Sequence, residues 1–391
     1  MTELLAKLLG RLPIGWLQLV HNKARLAAAV AGVSFASVLV LMQLGFLGAL
    51  VGSIMLPYDQ MDADILISAS DMNTLADGSP LPRQRMFEAL SVQGVARATP
   101  LYYGKVEWKQ SDGTIRNLDV FGIDPSSETF RNPAINARLA DLARADVALI
   151  DAKTRNAPTD IFSQIETGQP YHFEVKGRTL TVIDTFEIGG GFSADGYLVT
   201  SDQTFLRLFP QRVAGAPNHI LVSLAPGADI RSTVERLRAV LPAYDSSVRT
   251  VAEAFAKDQA FQTTQRPVGL VFGFGIVIGV LVGIIIVYQV LSTDVAEHLK
   301  EYATFKAIGY SQRFFLGIVF EEALILAVLG FFPGFVVSLG LYAIVATVTG
   351  LPLAMTGARA VFVLLGVLGM CLLSGAIATR KLARANPADL F

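Results

Sequence analysis

The side chains best suited to metal or redox chemistry are scattered along the chain. Its histidines, His21, His172, His219 and His298, form no H-x-x-x-H pair, and its single cysteine, Cys371, lies in an apolar run. A structural zinc site needs several His or Cys ligands at close spacing, and a disulfide needs a second cysteine. We therefore expect no metal, cofactor or disulfide in this chain, and we interpret these residues as surface or packing residues.

The sequence also lacks the motifs of common hydrolases. A P-loop needs G-x-x-x-x-G-K-[ST], and Gly189, Gly190 and Gly191 are not followed by the required Lys and Ser/Thr. No G-x-S-x-G elbow is present either, although a catalytic triad built from distant residues would leave no such motif. We therefore expect that the chain is not an enzyme and cannot hydrolyse ATP by itself.

Composition indicates a membrane protein. Hydrophobic residues make up 52% of the chain and charged residues 17%, whereas ordinary soluble domains have about 25% charged residues. A helix that spans a bilayer needs about 20 apolar residues, and four stretches meet this requirement: 26–55, 268–291, 314–348 and 360–378. The first is much longer than the apolar core of a signal peptide, about 7–15 residues, so we interpret it as a retained anchor.

The basic residues at the two ends predict the orientation, because Lys and Arg accumulate in cytoplasmic flanks. Both termini are therefore expected to be cytoplasmic, in a multi-pass protein of the inner membrane. The basic residues that carry this prediction are Lys7, Arg11, Lys23 and Arg25 before the first span, and Arg380, Lys381 and Arg384 after the last. The net charge of -1 gives no general attraction to nucleic acid.

The predicted class is an α+β membrane protein with one span, a large extracytoplasmic domain, and then three spans. Within the domain, we predict strands at 64–68, 104–109, 116–123, 171–175, 179–185, 196–200 and 220–224, a strand-like segment at 95–103, and helices at 83–90 and 229–241. The full division is a cytoplasmic interfacial segment 1–25, span 26–55, domain 56–266, span 267–293, coupling helix 294–313, span 314–348, external turn 349–359, span 360–379 and cytoplasmic tail 380–391.

The first segment has two interpretations. Its leucines recur at helical spacing beside Lys7 and Arg11, which is typical of a helix lying in the membrane interface. The alternative is a frayed terminus. The leucines concerned are Leu4, Leu5, Leu8, Leu9 and Leu12.

Glycines at helical spacing indicate a packing face on the second span. Gly275, Gly279 and Gly283 form two successive small-x-x-x-small steps, which let helix backbones approach closely in lipid. The expected partner is a second copy of the chain or the first span. The plainer explanation is that glycine is simply frequent in membrane helices.

The segment between the second and third spans is the most informative. As a helix, it places Val295, Leu299 and Tyr302 on one side and charged residues elsewhere, and Gly309 follows as a C-cap. Such a helix is either a docking surface for another protein or a short loop helix that lies on the membrane and is charged because it is solvated. In the next span, Glu321 and Glu322 fall near the cytoplasmic interface, where we expect a structural ion pair or, alternatively, a site of proton coupling.

The arrangement of spans resembles the MacB/FtsX-like family of ABC transporter permeases. The resemblance rests on the motifs Asn22-Lys23-Ala24-Arg25, Lys300-Glu301, Lys306-Ala307-Ile308-Gly309, Glu322-Ala323 and Asn386-Pro387-Ala388. Two further strings, Thr293-Asp294-Val295 and Glu301-Tyr302-Ala303-Thr304, look most like the DevC branch of the family.

This resemblance implies a permease subunit that transmits the motion of a separate ATPase to its periplasmic domain. Glu301, Lys306, Ala307 and Gly309 would form the coupling surface, and ATP with magnesium would bind on the partner. The other implied partners are a second permease copy, membrane lipid, a HlyD-like adaptor and an outer-membrane channel. Two alternatives remain open, an FtsX-like regulator of a cell-wall hydrolase and a membrane-anchored extracytoplasmic enzyme or sensor.

Overall fold

The computed structural model describes residues 14–110, 112–298, 301, 304 and 308–384. Its helices are α1 (Ile14–His21), α2 (Lys23–Gln60), α3 (Gln84–Leu90), α4 (Pro133–Asn136), α5 (Leu139–Leu142), α6 (Thr159–Glu166), α7 (Asp202–Leu208), α8 (Ile230–Val240), α9 (Val251–Thr264), α10 (Pro267–Glu297), α11 (Gln312–Thr349) and α12 (Gly357–Arg384). Its strands are β1 (Ile65–Ala69), β2 (Val95–Lys109), β3 (Ile115–Ile123), β4 (Val147–Asp151), β5 (Tyr171–Val175), β6 (Arg178–Phe186), β7 (Gly196–Ser201), β8 (His219–Leu224) and β9 (Ser246–Thr250).

The chain forms two compact units, which we call the helical unit and the inserted domain. The inserted domain comprises Ala49–Gly269 and Thr349–Pro352, and the helical unit takes the remaining described residues. Within the described residues, four helices are long and apolar enough to cross a membrane, namely α2, α10, and the parts of α11 and α12 at Phe314–Thr349 and Gly357–Thr379. The predicted class, one span followed by an α+β domain and three more spans, is confirmed.

The helical unit has a continuous apolar core drawn from all four long helices. Val33 of α2, Val287 of α10, Ile318 of α11 and Val367 of α12 are each at most 4% exposed. Helix α1 adds Leu19 to this core. Residues 1–13 of the predicted interfacial segment 1–25 lie outside the described residues.

The inserted domain is built on one nine-stranded sheet in the order β5-β6-β4-β7-β3-β2-β8-β1-β9. The pairs β3–β7 and β4–β6 are parallel and the other pairs are antiparallel. One core, around Trp108 and Phe205, gathers β2 to β7 with α6 and α7. A second core, around Ile67 and Leu237, gathers β1, β2, β8 and β9 with α3 and α8.

Local signals explain where several of these elements start. Asp229, the first residue of the helix predicted at 229–241, caps α8 by accepting from Ser232 N at 2.8 Å. Helix α9 begins with a capping box, in which Thr250 and Glu253 each bond the other's backbone N–H. Capped ends of this kind fix where the chain passes from β9 into α9.

Strand β2 is longer than the sequence suggested. We predicted separate segments at 95–103 and 104–109, but they form one strand through Gly104. The Phe209 ring explains the glycine, because a Cβ at Gly104 would lie 2.5 Å from the ring's Cζ. Gly104 therefore makes room for an aromatic side chain in the core and does not end the strand.

Candidate coupling site

The predicted coupling residues are only partly described. Glu301 has helical conformation and is exposed. Gly309 is also exposed, with φ of +106°, a conformation that glycine adopts at little cost and other residues avoid. This backbone suits the expected position of Gly309 at a helix end. Lys306 and Ala307 lie outside the described residues.

An ion-pair cluster lies where the coupling segment joins the helical unit, and we call it the Arg25 cluster. It consists of Arg25, Asp294, Glu297, Glu321 and Glu322. Arg25 Nη1 lies 2.7 Å from Asp294 Oδ1, and Arg25 Nη2 also pairs with Glu297. Asp294 is 1% exposed, whereas the Glu297 side chain is 58% exposed. One guanidinium thus joins the start of α2 to the end of α10.

The local sequence places Arg25 for this role. Asn22 lies between α1 and α2, and its Oδ1 accepts from Arg25 N at 3.1 Å. Asp294 lies one turn before the end of α10, with His298 Nδ1 3.0 Å from its carbonyl oxygen. The apolar run of α2 starts here and that of α10 ends here, so Arg25 of α2 faces Asp294 and Glu297 of α10.

The two acidic residues of α11 belong to the same cluster. Glu321 Oε1 accepts from Trp16 N at 3.4 Å, which joins α1 to α11. Glu322 is fully buried, with Asp294, Glu321 and Arg25 as its charged neighbours. In the described part of the chain, neither Glu322 carboxylate oxygen has a hydrogen-bond partner. Gly15 permits this packing, because a Cβ there would lie 2.9 Å from Glu322 Cγ.

The Arg25 cluster carries a large electrostatic cost if it is broken. Removing one partner of a buried ion pair leaves an uncompensated charge and costs about 3–5 kcal/mol. Arg25 and Asp294 are 269 positions apart in the sequence, and sequence analysis used Arg25 only for orientation and family resemblance. A signal was present in the sequence, because Arg25 immediately precedes the first apolar run and Asp294 closely follows the second.

The glycine face of the second span packs on the first span of the same chain. A Cβ at Gly275 would meet Gln43, and one at Gly279 would lie 3.0 Å from Val40 Cγ2. A Cβ at Gly283 would meet Met370 of α12 and lie 3.0 Å from Ala36 Cβ. Within the described chain, these glycines therefore approach side chains of α2 and, at Gly283, also of α12.

Comparisons with known proteins extend over both units. A family model described as FtsX-like permease C-terminal matches residues 273–387, and one described as MacB-like periplasmic core domain matches residues 26–240. The second match covers more than half of the chain. The chain belongs to the MacB/FtsX-like permease family.

Solved structures also match this permease. The periplasmic region of MacB from Actinobacillus actinomycetemcomitans has 11% identity and a TM-score of 0.33, over 50% of this chain and 92% of that one. The extracellular domain of the noncanonic ABC-type transporter YknZ from Gram-positive bacteria has 12% identity and a TM-score of 0.33, over 48% and 98%. Comparison with curated proteins gives no significant match.

Membership in the family confirms the broader predictions. The chain is a multi-pass membrane protein of the ABC permease type, with a transport role and an ABC ATPase as its general class of partner. Permeases of this family are not themselves enzymes. The DevC branch stays a prediction, as do the roles of the individual site residues.

Proposed function

We propose that this permease is the membrane subunit of an export complex that transmits ATP-driven motion from a separate ATPase to its inserted domain. In this proposal both termini are cytoplasmic, the inserted domain is periplasmic, and two copies work together in the inner membrane. A HlyD-like adaptor and an outer-membrane channel complete the route, as in the DevC branch that the sequence resembles. ATP and magnesium bind on the ATPase.

The Arg25 cluster is the observation that carries the proposal. Asp294 is both the first residue of the predicted coupling segment and the buried partner of Arg25. A displacement of the segment therefore acts directly on the start of α2, through a 2.7 Å ion pair. Helix α2 is a single helix of 38 residues from Lys23 to Gln60, so a movement at its start is carried along its length.

The exposed residues of the coupling segment support an ATPase docking surface there. Glu301 offers a charge to a partner, and Gly309 offers a backbone that can be approached closely because it has no side chain. Both residues match the motif of the family resemblance. The ATPase would thus press on a segment whose first residue is tied to the first span.

Substitution of these two residues tests the coupling. We expect the double variant Glu301→Ala/Gly309→Val, reconstituted with its ATPase, to show at least tenfold lower transport-coupled ATPase activity than wild type. The melting temperature of the permease should not change. Glu166→Ala, which removes an exposed carboxylate at the end of α6, is the matched control and should keep full activity. Full coupling in the double variant would rule out this surface.

Cysteine labelling tests the orientation. The only native cysteine, Cys371, is buried, so a Glu301→Cys variant introduces a single exposed thiol. We expect an impermeant maleimide to label it in inside-out vesicles and not in intact cells. Labelling from outside would overturn the proposed topology.

Co-purification distinguishes export from regulation of a cell-wall hydrolase. An adaptor and an outer-membrane channel that co-purify with the chain support export, whereas a cell-wall hydrolase supports an FtsX-like regulator.

A further inference from the structure

A cavity of about 270 Å³ lies within the inserted domain. The last turns of α2 contribute Ser53 and Pro57 to its wall, strand β3 contributes Asp119, and α9 contributes Asp258. Arg266, the residue before α10 begins, also lines it. The volume is slightly below the usual range for ligand pockets, about 300–1,000 Å³, so the cavity fits a small molecule or the headgroup of a larger one.

Asp119 is the buried side chain in this wall that still needs a hydrogen-bond donor. It is 1% exposed, and its Oδ2 accepts from the Tyr103 hydroxyl. In the part of the chain that the structure describes, Oδ1 has no hydrogen-bond partner. The nearby cation is Lys105, whose Nζ lies 3.6 Å from Oδ1 and donates to Ser193 O at 3.1 Å. A carboxylate oxygen left in this state favours an incoming N–H or O–H donor.

The second carboxylate of the wall differs, because its bonds are made within the protein. Asp258 Oδ2 accepts from the Tyr58 hydroxyl and from Leu75 N, both at 2.9 Å. Its Oδ1 accepts from Gln262 Nε2 at 2.6 Å. Asp258 therefore holds the wall together, and Asp119 is the carboxylate available to a ligand.

Arg266 supplies a cation at the same cavity. Its guanidinium stacks over the Phe261 ring at 5.2 Å and is exposed. Among the described residues, no carboxylate forms an ion pair with Arg266. A guanidinium in this position is suited to a phosphate or carboxylate, which it binds through paired N–H groups.

The charges of the lining point to a ligand with no net charge but with both signs. Asp119 and Asp258 are balanced by Lys105 and Arg266. A simple anion or cation would disturb this balance, whereas a zwitterion keeps it. The ammonium end would meet Asp119 Oδ1 and the anionic end would meet Arg266.

We propose that this cavity binds an ammonium–phosphodiester zwitterion of the glycerophosphoethanolamine type. The group could be a free solute or the headgroup of an aminophospholipid. The lipid source is within reach because the cavity is lined by the end of one membrane-spanning helix and by the residue preceding the next. This proposal goes beyond the coupling function and does not depend on an ATPase.

Calorimetry on the purified full chain in maltoside detergent tests the free group. We expect glycerophosphoethanolamine to bind saturably and at least tenfold more tightly than glycerophosphocholine, because a trimethylammonium has no N–H to donate to Asp119. Asp119→Asn should weaken glycerophosphoethanolamine at least tenfold and abolish the preference over glycerophosphocholine. Arg266→Gln should weaken both probes to a similar extent, and the control Arg131→Gln, an exposed arginine outside the cavity, should change neither.

Nanodiscs distinguish the two sources. With the full chain in discs of phosphatidylethanolamine or of phosphatidylcholine, each mixed with phosphatidylglycerol, native mass spectrometry counts the lipids that remain bound. Retention of phosphatidylethanolamine that Asp119→Asn and Arg266→Gln abolish supports the headgroup, and binding of the free probe alone supports a solute. The proposal is overturned if neither probe binds, leaving a water-filled cavity, or if both variants bind like the wild type.

Discussion

The helical unit and the inserted domain each bury a carboxylate beside a basic side chain, but they compensate it differently. In the helical unit, Arg25 lies 2.7 Å from Asp294, and its side chain is only 17% exposed. In the inserted domain, Lys105 lies 3.6 Å from Asp119, and its side chain is 44% exposed. The first pair is a close charge-assisted contact, whereas the second leaves its carboxylate open to another donor.

This difference distinguishes a structural tie from a binding site. A short buried pair holds two helices at a fixed distance, because separation would expose an uncompensated charge. A loose pair beside a cavity can exchange its cation for a ligand at small cost. The two regions therefore contain similar residue types that are suited to different tasks.

The largest expected effect concerns the Arg25–Asp294 ion pair. Arg25→Met should lower the free energy of unfolding by about 3–5 kcal/mol, because Asp294 then stays buried without its cation. Lys105→Met is the matched control, and it should cost less than about 1 kcal/mol since Lys105 is well exposed. Thermal unfolding of the purified variants in detergent measures both.

A double variant checks the cause of that loss. Arg25→Met/Asp294→Asn should recover part of the stability, since the buried negative charge is removed with its partner. Equal losses in Arg25→Met and Lys105→Met would show that the two pairs are alike and would end the comparison.

The next effect concerns pH and the inserted domain. Burial raises the pKa of Asp119 to about 6, while the charge of Lys105 and the Tyr103 hydrogen bond act against this rise. The folded state therefore holds the proton more tightly than the unfolded state, whose pKa is near 3.8. The contribution of protonated Asp119 to folding stability is complete below the pKa of the unfolded state and is lost as pH rises through about 6.

Asp119→Asn should abolish this dependence. Between pH 4 and pH 7, the free energy of unfolding of the variant should rise relative to that of wild type by on the order of 3 kcal/mol, because the pKa shift is about two units. Burial lowers the pKa of His219 to about 4, with the opposite slope, but this contribution is common to both proteins and cancels. Urea unfolding followed by Trp108 fluorescence in a Trp16→Phe background measures the difference, and parallel curves would contradict it.

The smallest expected effect concerns the close packing of α10 against α2 at Gly279. Gly279→Leu should cost about 1–3 kcal/mol, because its Cβ would lie 3.0 Å from Val40 Cγ2. Gly273→Leu is the control on the same helix, since a Cβ there would have no described atom within 4 Å apart from its chain neighbours and the backbone of its own helix. Comparing the melting temperatures of the two variants checks this, and equal losses would mean that α10 does not depend on close approach to α2.

Sequence patterns predicted much of the domain's local structure. Alternating and turn-bounded runs located β3, β5, β6, β7 and β8, and Asp229 marked the start of α8. Strand β4, whose five residues are all buried, was not among the predicted strands. A short continuous apolar run does not by itself distinguish a strand from a buried helix segment. Strand β9 and helix α9 were also not predicted.

The amino-acid sequence was enough to predict the membrane spans, the inserted α+β domain, the broad family and the position of the segment that joins the second and third spans. These follow from composition, from local periodicity and from short motifs. The strand order, the Arg25–Asp294 pair and the cavity lined by both Asp119 and Arg266 depend on how distant elements pack. The reason is physical: local periodicity fixes which face of an element is apolar, but packing between distant elements decides which charged groups meet.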